Sequence, residues 1–197
     1  VRPNHVICKI GAILLVNAGK FNIVIINDET YAFNSVDNVR SYGIEHALAS
    51  RFAWNSQYGI RCTTNGDEAS CIISAGGGYT RVHEHTAVTC GETLFVAIGN
   101  LICCFSIPSL GLQWSQEVDF ATCFGVYYLP QSDCLISHGE CDIACLTLSG
   151  EIKWTATGKD IFSEGFSISD DHIEVTDFNH EKYRIDLADG HIQLISR

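Results

Sequence analysis

Apolar and polar positions alternate in short runs along most of this chain. FNIVIIN (residues 21–27), TLFVAIG (93–99), CLISHG (134–139), HIEVTDF (172–178) and KYRIDL (182–187) each place β-branched and aromatic side chains at every second position or nearly so. Runs of this length with a period of two predict β-strands. The runs are separated by residues that tolerate tight turns, among them Asn65–Gly66–Asp67, Ser149–Gly150 and Ala188–Asp189–Gly190. Helical spacing of apolar residues is nearly absent, so the pattern predicts an all-β chain whose strands recur every ~8–12 residues.

The pattern repeats. TLFVAIGNLICCFSIPSLGLQW ends at Trp114, CLISHGECDIACLTLSGEIKW ends at Trp154, and HIEVTDFNHEKYRIDLADGHIQL ends at Leu194, so the closing residues fall 40 positions apart. A period near 40 with several strands per unit marks a blade array, in which each unit hides its apolar face against the next. The expected fold is one domain over residues 1–197, a β-propeller of about five four-stranded antiparallel blades. The expected blades begin with HVICKI, AILLVN, FNIVIIN and TYAFN, then Phe52–Trp54, GIRCTT, ASCIIS and YTRVHEH. Three more regular blades follow over the repeats, and HVICKI is the one run placed to exchange with the last blade and close a ring. Residues 35–50 are the least regular, read as a long loop or a short helix over Ile44–Ala49.

The stretches CFSIPSLGLQW, ACLTLSGEIKW and YRIDLADGHIQL resemble the closing motif of the quinoprotein-like (pyrroloquinoline-quinone-type) β-propellers. The family's Trp corresponds to Trp114 and Trp154, with Leu194 in its place in the last copy. Its Gly corresponds to Gly150 and Gly190, and to Gly111 with a one-residue shift. The resemblance covers the C-terminal half strongly and the N-terminal half weakly. It implies the fold, not the chemistry. The quinone-dependent dehydrogenases resemble much longer rings, and their calcium site and vicinal disulfide have no counterpart here. Cys103 and Cys104 are adjacent but lie within a strand run, where they point to opposite faces and pack as core residues.

Charge narrows the field of partners. The net charge of −11 opposes a phosphate backbone and an anionic bilayer, so neither nucleic acid nor membrane is expected, while a basic protein partner suits it. The apolar run Ile10–Val16 is too short to span a bilayer. The ten cysteines sit mostly in apolar runs and form no CxxC pair, which predicts free core thiols in a cytoplasmic protein rather than a zinc site or a disulfide framework.

Candidate sites come in three groups. His83 and His85 alternate on one run and share a face, the spacing of two metal ligands that lack a third. His138, Glu140 and Asp142 flank a turn in the fourth blade, on one rim of the array. Tyr42, Trp54 and Tyr58 fall in the irregular early region, as an aromatic patch or as core. Asp170, Asp171, Asp177 and Asp189 form no calcium loop and read as turn residues. No nucleophile elbow or phosphate loop occurs.

These features predict a non-enzymatic scaffold that holds a protein partner on one rim, as an adaptor or inhibitor, with no cofactor. The alternatives are a lectin-like ring binding a small ligand or carbohydrate, and a metal-dependent enzyme using His83 and His85.

Overall fold

The computed structural model describes residues 7–10, 13–48 and 56–196. Every regular element among them is a β-strand. Sheet A contains β1 (Ile7–Ile10), β2 (Ile13–Ala18), β3 (Phe21–Asn27), β4 (Ile44–Ala47), β5 (Ser56–Thr63) and β6 (Glu68–Ala75). Sheet B contains β7 (Ala87–Cys90), β8 (Thr93–Ile98), β9 (Leu101–Ser106) and β10 (Leu112–Glu117). Sheet C contains β11 (Cys123–Leu129), β12 (Cys134–Gly139), β13 (Asp142–Thr147) and β14 (Ile152–Thr157). Sheet D contains β15 (Phe166–Ile168), β16 (His172–Thr176), β17 (Lys182–Asp186) and β18 (Ile192–Ser196).

Sheets B, C and D are four-stranded antiparallel meanders in chain order, as the repeat predicts. The N-terminal region departs from it. The two blades expected there form a single six-stranded sheet in the order β1-β2-β3-β5-β6-β4, because β5 pairs directly with β3 from Asn22↔Thr63 to Asn27↔Tyr58. TYAFN and YTRVHEH are not strands. Ile44–Ala47 is neither loop nor helix but β4, paired parallel to β6. The run Ile7–Ile10 pairs with β2 inside sheet A. The expected strand Phe52–Trp54 lies outside the described residues.

Three apolar cores join the four sheets. Sheets A and B meet through Leu14, Ile23, Ile60, Ile73, Leu94 and Phe105. Sheets B and C meet through Phe95, Ile102, Cys123, Leu135 and Leu146. Sheets C and D meet through Ile136, Ile143, Trp154, Ile173 and Ile185. Burying one such side chain stabilises the fold by ~1.5–3 kcal/mol before entropy is counted. Alternation assigns the faces: Leu94, Val96 and Ile98 of β8 point into the A–B core, and Phe95 and Ala97 into the B–C core. Cys103 and Cys104 divide in the same way, one to each core.

The array is open among the described residues, and no core joins sheet D to sheet A. The sheets differ in how they are covered. β8, β9, β12 and β13 are buried on both faces, whereas β16 and β17 alternate strictly. The outward positions of sheet D are Glu174, Lys182, Arg184 and Asp186, all exposed, with Glu174 opposite Arg184 and paired with it at 3.5 Å. Where the period predicts a ring of five blades, the described residues form four stacked sheets.

Candidate functional site

Two regions concentrate chemistry: one rim of the array, and the side lined by the first strands of sheets B, C and D.

The rim is made of the segments that connect one sheet to the next and the hairpins beside them. Backbone hydrogen bonds stitch them in series. Gly78 N donates to Ala121 O at 2.7 Å, Glu140 N to Thr122 O at 2.7 Å, Phe162 N to Glu140 O at 2.6 Å, and Phe178 N to Ile161 O at 2.8 Å. Asp119 fastens the middle of this line. It is only 3% exposed, and its carboxylate accepts four backbone N–H groups. Ala121 (2.6 Å) and Thr122 (2.9 Å) bond Oδ1, and Cys141 and Asp142 (both 2.8 Å) bond Oδ2. Burial pushes the Asp119 pKa up, and the four N–H groups oppose that shift. Gly139 leaves room for the carboxylate, since a Cβ there would lie 2.2 Å from Asp119 Oδ2. Asp177 repeats the device in sheet D, accepting from Asn179 N and Glu181 N at 2.9 Å and from the Tyr183 hydroxyl at 2.9 Å.

Large apolar side chains stand out from this rim. Phe120, next to Asp119, is 85% exposed, and Phe178, next to Asp177, is 61% exposed. Tyr79 on the sheet A to sheet B connector is half exposed and donates its hydroxyl hydrogen bond to Glu29. Val36 and Val39, almost fully exposed, lie on the segment that leaves β3 at the same end of sheet A.

On the first-strand side, three histidines and three aromatic rings form a continuous wall. His138 stacks on Phe166 with centroids 4.1 Å apart, and Phe124 meets its ring edge-on at 5.4 Å. Phe166 packs on Tyr127 at 5.0 Å, Tyr127 on His85 at 4.7 Å, and His85 on His83 at 6.0 Å. Gly125 permits the approach of His85, whose Cβ would lie 2.9 Å from an added Cβ. His83 Nε2 donates to Phe124 O at 2.6 Å while Nδ1 accepts from His85 N at 3.2 Å, which fixes the Nε2–H tautomer. With both ring nitrogens held by backbone, His83 has no lone pair left to give a metal. Among the described residues no group of three or more His, Cys, Asp or Glu side chains is placed to hold a metal ion. His138 is largely buried, and its Nε2 has no hydrogen-bond partner. Burial, opposed by a hydrogen bond to the Phe162 backbone and reinforced by His85 and His83 nearby, pushes its pKa down to about 4.

Beside this wall lies an open cleft of about 410 Å³ between β7, β11 and β15. Val88, Val126, Leu129 and Ile168 form its apolar base, and Glu84, Gln131, Ser169 and Asp170 its polar mouth. Burial and the Glu84 carboxylate push the Tyr127 phenol up to about 12.

The candidate residues scatter across these regions. His138 belongs to the buried wall and not to the exposed turn. Glu140 and Asp142 do lie on the rim, where Asp142 accepts from the Thr157 hydroxyl at 2.5 Å. Tyr58 is core, fully buried, with its hydroxyl 2.6 Å from that of Thr80. Tyr42 covers Gly59 on the outer face of sheet A and donates to Asp28 at 2.7 Å. Trp54 lies outside the described residues. Sequence reasoning passed over Phe120, Phe178, Tyr127 and Phe166. A signal existed for the first two: each is a lone Phe directly after a turn aspartate, in DFATC and DFNHE.

No protein-family model matches the sequence, and the comparison with curated proteins gives no match. Solved structures do resemble the chain. BamB from Moraxella catarrhalis is similar over 100% of this chain and 66% of its own, with a TM-score of 0.49 and 10% identity. The computationally designed Ika8 protein is similar over 94% of this chain and 59% of its own, with a TM-score of 0.52 and 6% identity. This chain thus spans less than two thirds of either structure. Likeness at such identity concerns fold alone: the chain is an all-β array in which a six-stranded sheet precedes three four-stranded antiparallel meanders.

Proposed function

We propose that the chain is a non-enzymatic, propeller-like scaffold that binds a basic protein partner through its connector rim. The observation that carries this reading is the placement of Phe120 and Phe178. Each projects from a turn that a buried aspartate holds rigid, and each leaves most of its ring in water. An exposed Phe on a fixed turn adds nothing to the core of the chain and suits the centre of an interface. The net charge of −11 favours a partner of opposite sign and speeds the encounter. The rim is preorganised by the backbone bonds that link successive connectors, so binding there orders little additional chain.

The test is affinity capture from the source lysate with the wild-type chain and with the F120S/F178S double variant. The expected result is a basic protein retained by the former and lost from the latter, at unchanged thermal stability. Equal capture by both overturns the rim assignment.

A further inference from the structure

We infer that the cleft between the first strands of sheets B, C and D is a receptor for one cationic side chain, arginine or lysine, presented by a protein partner. The inference rests on the protein-binding reading above but on a different part of the molecule.

The cleft has two halves of unlike chemistry. Val126 and Leu129 at its base are buried, and Val88 and Ile168 are half-buried beside them. The mouth carries the carboxylates of Glu84 and Asp170, both exposed, and among the described residues no Lys or Arg lines the cleft. The Asp170 carboxylate has no hydrogen-bond or ion-pair partner among the described residues. Glu84 has its neighbour His85 at 3.6 Å and acts on the Tyr127 phenol across the cleft lining. Arginine and lysine are amphipathic in the matching sense: an alkyl stem that packs on apolar surface and a charged head kept at the water boundary. A volume of about 410 Å³ admits one such side chain and falls at the lower end of ordinary ligand pockets.

The wall behind the cleft explains why the site is rigid. Tyr127 is held between His85 at 4.7 Å and Phe166 at 5.0 Å, so it cannot swing in to fill the space. The elements that form the cleft belong to three sheets, B, C and D, which the two cores B–C and C–D fix against one another. An anionic guest would meet two carboxylates, and a purely apolar guest would leave them uncompensated.

The test uses the whole chain and two probes of nearly identical shape, Nα-acetyl-arginine methylamide and its neutral isostere Nα-acetyl-citrulline methylamide. Amide chemical shifts are followed through a titration of each. The arginine probe is expected to give saturable shifts at Tyr127, Tyr128 and Ile168, the citrulline probe to bind at least about tenfold more weakly, and the E84Q/D170N variant to lose the difference, tenfold corresponding to about 1.4 kcal/mol. Equal response to both probes, shifts mapping elsewhere, or an unchanged E84Q/D170N titration overturns the inference. Because the probes carry no protein surface, a negative result leaves the rim reading to be judged by its own capture experiment.

Discussion

Trp154 of β14 lies against Gly190 in the β17–β18 turn of the next sheet. A Cβ on Gly190 would come within 2.7 Å of Trp154 Cδ2, and the indole N–H donates to Leu187 O at 3.2 Å. Forty residues earlier the same latch recurs. Trp114 covers Gly150, where a Cβ would approach to 2.9 Å, and donates to Leu148 O at 3.2 Å. In both sheets the pairing register shifts by one residue just before the Trp, which turns its ring toward the neighbouring sheet. The closing Trp of the repeat is thus an intersheet fastener. Leu194 takes its place in sheet D, where it packs inward on the C–D core.

The latch makes the glycine replaceable only at a cost. Gly190 and Gly150 have φ of +76° and +92°, so G190A and G150A meet both backbone strain and an indole ring. Gly19, at φ +61°, has nothing within 4 Å of its missing Cβ. Urea unfolding is expected to show a loss of about 1 kcal/mol for G19A, from strain alone, and of about 2–4 kcal/mol for G190A. Equal losses would mean that the Trp does not depend on the glycine.

Truncating the fastener removes both area and a hydrogen bond. W154A is expected to lose ~3–5 kcal/mol, and W154F, which keeps most of the ring but not the N–H, ~1–2 kcal/mol. Denaturant midpoints at constant slope measure both.

His138 makes stability depend on pH in a defined direction. Its pKa in the folded chain, about 4, lies below the ordinary histidine value of 6.5, so the unfolded chain takes up the proton first. The stabilisation is complete above pH 6.5, falls as the pH drops toward 4, and amounts to about 3 kcal/mol over that window. H138F keeps the stack on Phe166 and removes the buried nitrogen that has no partner. It also gives up the ring's hydrogen bond to the Phe162 backbone, and its unfolding free energy is expected to change less between pH 6.5 and 4.5. Parallel pH profiles for the two proteins would refute this assignment.

Asp119 offers four acceptor positions to four backbone donors, and an amide cannot replace it. D119N turns an NH₂ group toward donors, either Cys141 and Asp142 or Ala121 and Thr122. A loss of about 2–4 kcal/mol is expected, with hydrogen exchange accelerating first at residues 119–123 and 139–142.

The sequence by itself determined the strands of sheets B, C and D, the 40-residue spacing of the closing residues Trp114, Trp154 and Leu194, and the division of Cys103 and Cys104 between two cores. These follow from period-two alternation and from turn residues, which act within a few positions along the chain. It also distinguished the covered sheets from the half-covered one. The strict alternation of HIEVT and KYRID marks a sheet with one wet face, whereas LFVAI and LICCF mark sheets covered on both. Only the tertiary structure decided that β5 docks on β3 although β4 comes between them in the chain, joining two expected blades into one sheet. The same holds for His138, whose neighbours Phe124 and Phe166 come from two different strands, and for the rim on which Phe120 and Phe178 stand. Which edge a strand pairs with, and which ring closes over a histidine, depend on segments far apart in the chain. Local patterning sets what each segment can bury and leaves open what it is buried against.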